Sequence, residues 1–150
     1  MTAIALGSLG GQVSPTAGEI GDLFDRFRLD APSALAAVLV DLGGLPLVWT
    51  GDLPEESADH VAAVILGLDS LGSSAAQCFA GHRCERQLLE LDREFLFVER
   101  VGTAGLLGVV ADKRGDLGAV SYEVALLANR LAGRLDADVA RELAGRVVRR

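Results

Sequence analysis

Lysine is almost missing. Lys113 is the one example in 150 residues, and 14 basic side chains stand against 21 acidic ones, a net charge of −7. Such a chain lacks the basic face that releases counterions from a phosphate backbone, which excludes a backbone-tracking nucleic-acid binder. Cysteine is scarce too: Cys78 and Cys84 are the two, too few for the disulfide framework of a small secreted domain. No stretch approaches the roughly 18 uncharged apolar residues that a membrane-spanning helix needs. The apolar start from Met1 to Leu9 has no basic residue ahead of it, and Gly7, Gly10 and Gly11 interrupt it, so it does not read as an export signal.

What is present is apolar: half the side chains are hydrophobic and 23% are charged. A chain of this length makes one domain and buries about 70% of its unfolded surface, so a core forms without metal or disulfides. These figures describe a soluble, cytoplasmic, acidic domain with no nucleic-acid partner and no membrane insertion. Charge is uneven. Residues 34–112 carry −8, whereas residues 113–150 carry +3 and end in Arg146, Arg149 and Arg150. This basic end reads as a solvated helix terminus whose cations complement the dipole, with a partner or membrane contact as the alternative.

Residues 1–16, rich in glycine and serine, read as a flexible lead-in. Ile20, Leu23, Phe24 and Phe27 recur at helical spacing and predict a helix over 17–28, ended by Pro32. Ala34 to Val40 is an apolar run too short for a helix. With Asp41-Leu42-Gly43-Gly44 as turn chemistry and Leu45 to Thr50 as the return, residues 34–50 predict a hairpin with Pro46 at a strand start or edge. Asp52, Pro54, Glu55 and Glu56 are helix-start signals, and Ala58, Val61, Ile65, Leu68, Gly72, Ala75 and Phe79 step by three and four along one face of a helix over 54–79. The rest of that helix, including Ala62, Ala63, Val64, Leu66, Gly67 and Leu71, is mostly apolar as well, which a simple surface helix is not.

Cys84 to Asp92 and Glu94 to Val101 predict strands about a tight turn, and Leu106 to Ala111 predicts a central one. Asp116 caps a helix with Leu117, Val120, Val124, Leu127, Leu131 and Leu135 inward. Residues 136–150 are a basic tail, helical through Val139, Leu143 and Val147 or disordered. The element order is helix, two strands, helix, three strands, helix. That order predicts an α/β (α+β) fold, an antiparallel sheet sandwiched by helices, with residues 17–135 as the domain.

Enzyme signatures are thin. No glycine-rich loop precedes a Lys-Ser or Lys-Thr pair, and Ser70 in G-L-D-S-L-G sits inside a helix rather than at a nucleophile elbow. Gly102, Gly105 and Gly108 lie at a hairpin and are structural. His60 and His82 have no nucleophile signature near them. Glu55, Glu56 and Asp59 suit a helix N-terminus better than an acid–base pair. Cys78, His82 and Cys84 are zinc-type donors, but C-x3-H-x-C lacks a fourth ligand. Neither a metal nor a cofactor is expected.

Residues 31–135 resemble the Roadblock/dynein light chain family, including its bacterial MglB-like members. The resemblance rests on A-V-L-V-D-L-G-G-L-P-L-V-W-T over 37–50 and L-L-G-V-V-A-D-K-R-G-D-L-G over 106–118, in the right order and spacing. Gly43 departs from it, since many relatives carry a charge before the turn glycine. The resemblance implies a five-stranded sheet of the profilin/longin kind, a homodimer formed through the third strand and the long helix, and a non-enzymatic protein that binds a Ras-like small GTPase.

The residues add their own argument. A helix apolar or small on two sides needs two neighbours, and a strand at the end of a meander exposes an edge that self-pairing would cover. The expected dimer interface is Ile65, Gly72, Ala76, Arg86, Leu88 and Glu90. The expected GTPase-contact residues are Glu56, Asp59, His60, Ala63 and Gly67, with no arginine finger among them. The alternatives are a small-ligand sensor of PAS or GAF type, which needs a polar cavity, and a GTPase-independent adaptor in a signalling complex.

Overall fold

The computed structural model describes residues 14–51 and 53–148. Its elements are α1 (Pro15–Asp30), β1 (Ala34–Asp41), β2 (Pro46–Trp49), α2 (Glu55–Gln77), β3 (Arg86–Glu90), β4 (Glu94–Val101), β5 (Gly105–Asp112), α3 (Leu117–Ala132) and α4 (Ala137–Val148). The five strands form one antiparallel sheet in the order β2-β1-β5-β4-β3. β5 is therefore central, as its continuous apolar run requires, and β2 and β3 are the edges.

Period-two alternation sorts the side chains between two layers. Leu39, Phe97, Val101, Leu107 and Val109 pack with α1, α3 and α4 on what we term the broad face. Val38, Val40, Trp49, Leu96, Val98 and Leu106 pack under α2 alone. The β1–β2 turn holds because Asp41 Oδ1 accepts hydrogen bonds from Gly43 N (2.9 Å) and Leu45 N (2.8 Å), while Gly44 takes φ +89°. Pro46 opens β2 at the sheet edge, where its missing N–H costs no ladder bond.

Four sequence expectations need correction. α1 starts at Pro15 rather than residue 17, because Ser14 is its N-cap, accepting from Ala17 N at 3.2 Å, and proline suits the first helical position. The expected lead-in therefore ends sooner; through residue 13 it lies outside the described residues. α3 stops at Ala132 and does not run on through Leu135. Asp136 caps a separate α4, its Oδ1 accepting from Val139 N at 2.8 Å, and Leu143 of α4 is fully buried. Arg149 and Arg150 lie outside the described residues. β3 begins at Arg86, leaving Cys84 in the connection.

The fourth correction concerns the face of α2. The residues that meet the sheet are Ala58, Ala62, Ile65 and Asp69. A line of alternating threes and fours averages 3.5 residues per turn against 3.6 for the helix, so it rotates by about 20° per heptad. It starts over the sheet at Ala58 and ends in solvent at Phe79, which is 87% exposed.

Candidate interaction surface

α2 turns an uncharged wall outward. Between Asp59 and Arg83 the one formally charged side chain is Asp69, and it points inward, its Oδ2 accepting from Arg100 Nη2 of β4 at 3.0 Å with both side chains largely buried. Outside lie Val64, Leu71 and Phe79, with Ala63, Gly67 and Ala75 between them. Leu71 is 71% exposed. Ser74 Oγ donates to Ser70 O within the helix, so this hydroxyl presents little unmet polarity. The wall runs to the end of the helix, where Gly81 N donates to Ala76 O and Ala80 N to Gln77 O, a Schellman closure with Ala80 at φ 62°.

Beside this wall lies the free edge of the sheet. Gly72 lets α2 approach the connection to β3: a Cβ there would stand 2.7 Å from Cys84 Cβ. Gln87 Nε2 of β3 donates to Leu68 O of α2 at 2.6 Å. Gln87 and Leu89 point toward α2 and are half-buried, whereas Arg86, Leu88 and Glu90 lie exposed on the broad face. Arg86 Nε pairs with Glu99 Oε1 of β4 at 3.1 Å, and Glu90 Oε2 with Lys113 Nζ at 2.5 Å. The ammonium of Lys113 also sits 5.8 Å from the centre of the Phe95 ring. Burial pushes the Glu99 carboxyl above the ordinary glutamate range, only partly opposed by Arg86.

The expected site residues divide accordingly. Glu56, Asp59, His60, Ala63 and Gly67 all stand exposed along the start of α2. Arg86, Leu88 and Glu90 line one edge, with Gly72 and Ala76 half-buried nearby. Ile65 is misplaced in the expected interface set. It has no exposed surface and is covered by its own sheet. The Asp69–Arg100 pair was missed; its signal is an acid continuing the 58-62-65 row of buried positions.

Cys78 and Cys84 are free thiols, each turned to a local backbone carbonyl, Ser74 O and Arg86 O. Among the described residues no three His, Cys, Asp or Glu side chains surround a common metal position, and no helix is long and apolar enough to cross a membrane. Two open clefts are charged rather than apolar. One of about 600 Å³ lies at the end of the sheet between Asp92, Arg93, Glu94, Asp112, Lys113 and Arg114. There, hydrogen bonds from Arg114 pull the Asp112 carboxyl down to about 2. The other, about 340 Å³, lies between the β3–β4 rim and α3.

A family model for the Roadblock/LC7 domain matches residues 20–111. The solved Roadblock/LC7 domain from Streptomyces avermitilis is 34% identical, with a TM-score of 0.68 over 74% of this chain and 92% of that one. MglB from Myxococcus xanthus shares 22% identity and a TM-score of 0.73, over 83% and 92% of the two chains. A structure described as MglB with tetrameric arrangement gives 20% and 0.74, over 88% and 95%. No curated protein sequence matches.

Proposed function

The chain belongs to the Roadblock/LC7 family, and from that premise we propose that it is a non-catalytic regulatory scaffold of the cytoplasm that pairs with itself and binds a Ras-like small GTPase. The observation that carries this reading is the uncharged outer wall of α2 beside the unpaired edge of β3. A row of exposed large apolar side chains next to free backbone donors and acceptors is a surface made for another protein. Self-association also agrees with the tetrameric arrangement described for one structure of this fold.

Within this reading the two sides of α2 have different partners. The half toward β3, with Gly72, Ala76, Arg86, Leu88 and Glu90, faces a second copy. The start of the helix, with Glu56, Asp59, His60, Ala63 and Gly67, remains open in that arrangement and is the GTPase contact. No arginine stands in that strip, so an effect on GTP hydrolysis would act by reshaping the GTPase's own site rather than by supplying a finger.

The test mixes the purified chain with each small GTPase of the same organism, loaded with GDP or with a non-hydrolysable GTP analogue. One GTPase is expected to bind with a preference for one nucleotide state. Ala63→Arg should weaken that binding by roughly tenfold while self-association persists. Absence of binding to every small GTPase would refute the partner assignment.

A further inference from the structure

The flank of α3 that looks toward β3 is built from small side chains. Ala125, Ala128 and Ala132 leave a cleft of about 340 Å³ between the helix and the rim of the sheet. Gly102, at φ 55°, turns the chain under the end of α3: a Cβ there would stand 3.6 Å from Ala132 Cβ and 3.7 Å from Ala132 O.

Glu99 is the buried acid of this cleft, 8% exposed as a residue. Among the described residues its charged partner is Arg86, whose Nε stands 3.1 Å from Oε1 and whose own side chain is 69% exposed. Arg86 thus reaches Glu99 from the solvent side and leaves the cleft unfilled. A carboxylate so buried gains from every further donor, and one solvated guanidinium offsets its desolvation only in part. The other charges at the rim cancel, since Arg83 pairs with Glu85 at 2.8 Å and Arg100 with Asp69 at 3.0 Å.

The helix supplies further acceptors. The N–H groups of Gly133, Arg134 and Leu135 all turn to Leu131 O, so the carbonyls of Asn129 and Ala132 receive none of them. This negative end of α3 favours a cation. Asn129 adds an exposed side-chain amide that has no partner among the described residues.

We propose that the cleft binds a linear alkyl cation, either an arginine or lysine side chain of a partner or a free amine of the same chemistry, with the cationic head between Glu99 and the carbonyl end of α3 and the methylene stem along Ala125, Ala128 and Ala132. Such a ligand buries its stem against apolar surface while its head meets acceptors. An anion in the same place would face Glu85, Glu99 and the helix carbonyls. The volume suits one side chain or a ligand of that size, not a nucleotide. The site depends on neither self-pairing nor the GTPase contact, because it opens toward α3, across the sheet from α2.

The experiment titrates the full chain with agmatine, with a capped Gly-Arg-Gly tripeptide and with succinate, all at matched ionic strength. The readout is the nitrogen-15 spectrum, in which the Gly102 amide and the Asn129 side-chain amide report on the cleft. Both cations should shift these signals and saturate with a dissociation constant of about 1 to 10 mM, whereas succinate should not. A tripeptide that binds at least as tightly as agmatine identifies a partner's side chain as the occupant; tighter agmatine identifies a free amine. Glu99→Gln, which keeps the shape and removes the charge, should weaken binding by about tenfold. Ala125→Leu, which keeps every charge and fills the cleft from a half-buried position, should weaken it as much, so the outcome does not hang on one variant folding. Arg86→Gln should tighten binding, since the ligand then has Glu99 to itself. Absence of a saturable shift, binding of succinate in place of the cations, unchanged binding by Glu99→Gln, or a response confined to Arg86→Gln would overturn the site.

Discussion

The Ile65 side chain lies directly over Gly108: a Cβ on that glycine would stand 2.1 Å from Ile65 Cδ1 and 2.8 Å from Cγ1. The contact sets the height of α2 above the sheet. It is possible because β5 carries hydrogen where its neighbours carry branched side chains. Ile65 is thus a core residue of the single chain, although its place in an apolar helix gives the same sequence signal as an interface residue.

Gly108→Ala should therefore lower the unfolding free energy by about 1 to 3 kcal/mol through overpacking. Ile65→Val in the same chain removes the nearest atom and should recover part of the loss. Urea unfolding of the two single variants and the double variant measures this coupling, and strictly additive losses would count against the contact.

Asp69 and Arg100 form the ion pair that joins α2 to β4, with side chains 12% and 18% exposed. Arg100→Leu should cost about 3 kcal/mol, because it leaves a carboxylate largely buried without its partner. Asp69→Leu combined with Arg100→Leu should be markedly less destabilising than Arg100→Leu alone. A double-mutant cycle in urea decides it; equal losses for the single and double variants would show that the pair does not act as a unit.

Burial raises the Glu99 carboxyl above its ordinary value of 4.5. A group whose value is higher in the folded state favours folding most below its unfolded value, and that contribution is lost as pH rises through the folded one. The stability of Glu99→Gln relative to wild type should therefore increase on going from pH 4 to pH 7. Thermal unfolding at matched protein concentration across that range reads the trend, and a constant difference would contradict it.

The hairpin over 34–50, the alternation along β4, the central place of β5 and the Asp116 cap were all legible from residue pattern, because each depends on local chemistry or on period. The start of α1 was misjudged where Ser14-Pro15 resembles loop composition yet is a helix cap. The α3–α4 break hid because Leu135 and Leu143 prolong the apolar pattern across it, and the Asp136 cap was overlooked. The surface was harder to read than the fold. Sequence shows that two sides of α2 are apolar but not which side the sheet takes, since a row spaced by threes and fours slides round the helix. Ile65 was consequently placed on the wrong side. The exposure of Arg86, Leu88 and Glu90 on an edge strand was legible, because a strand at the end of a meander has one edge and alternation puts its odd and even residues on opposite faces.

The account turns on whether the outer wall of α2 is covered by a second copy, and Leu71 is the most direct probe because it is 71% exposed and outside the core of the single chain. Light scattering at micromolar concentration should give wild type a mass of at least twice 15.7 kDa. Leu71→Arg should give the mass of one chain, with its far-ultraviolet circular dichroism retained. A wild-type mass of 15.7 kDa, or a Leu71→Arg variant that assembles as wild type does, would contradict the account.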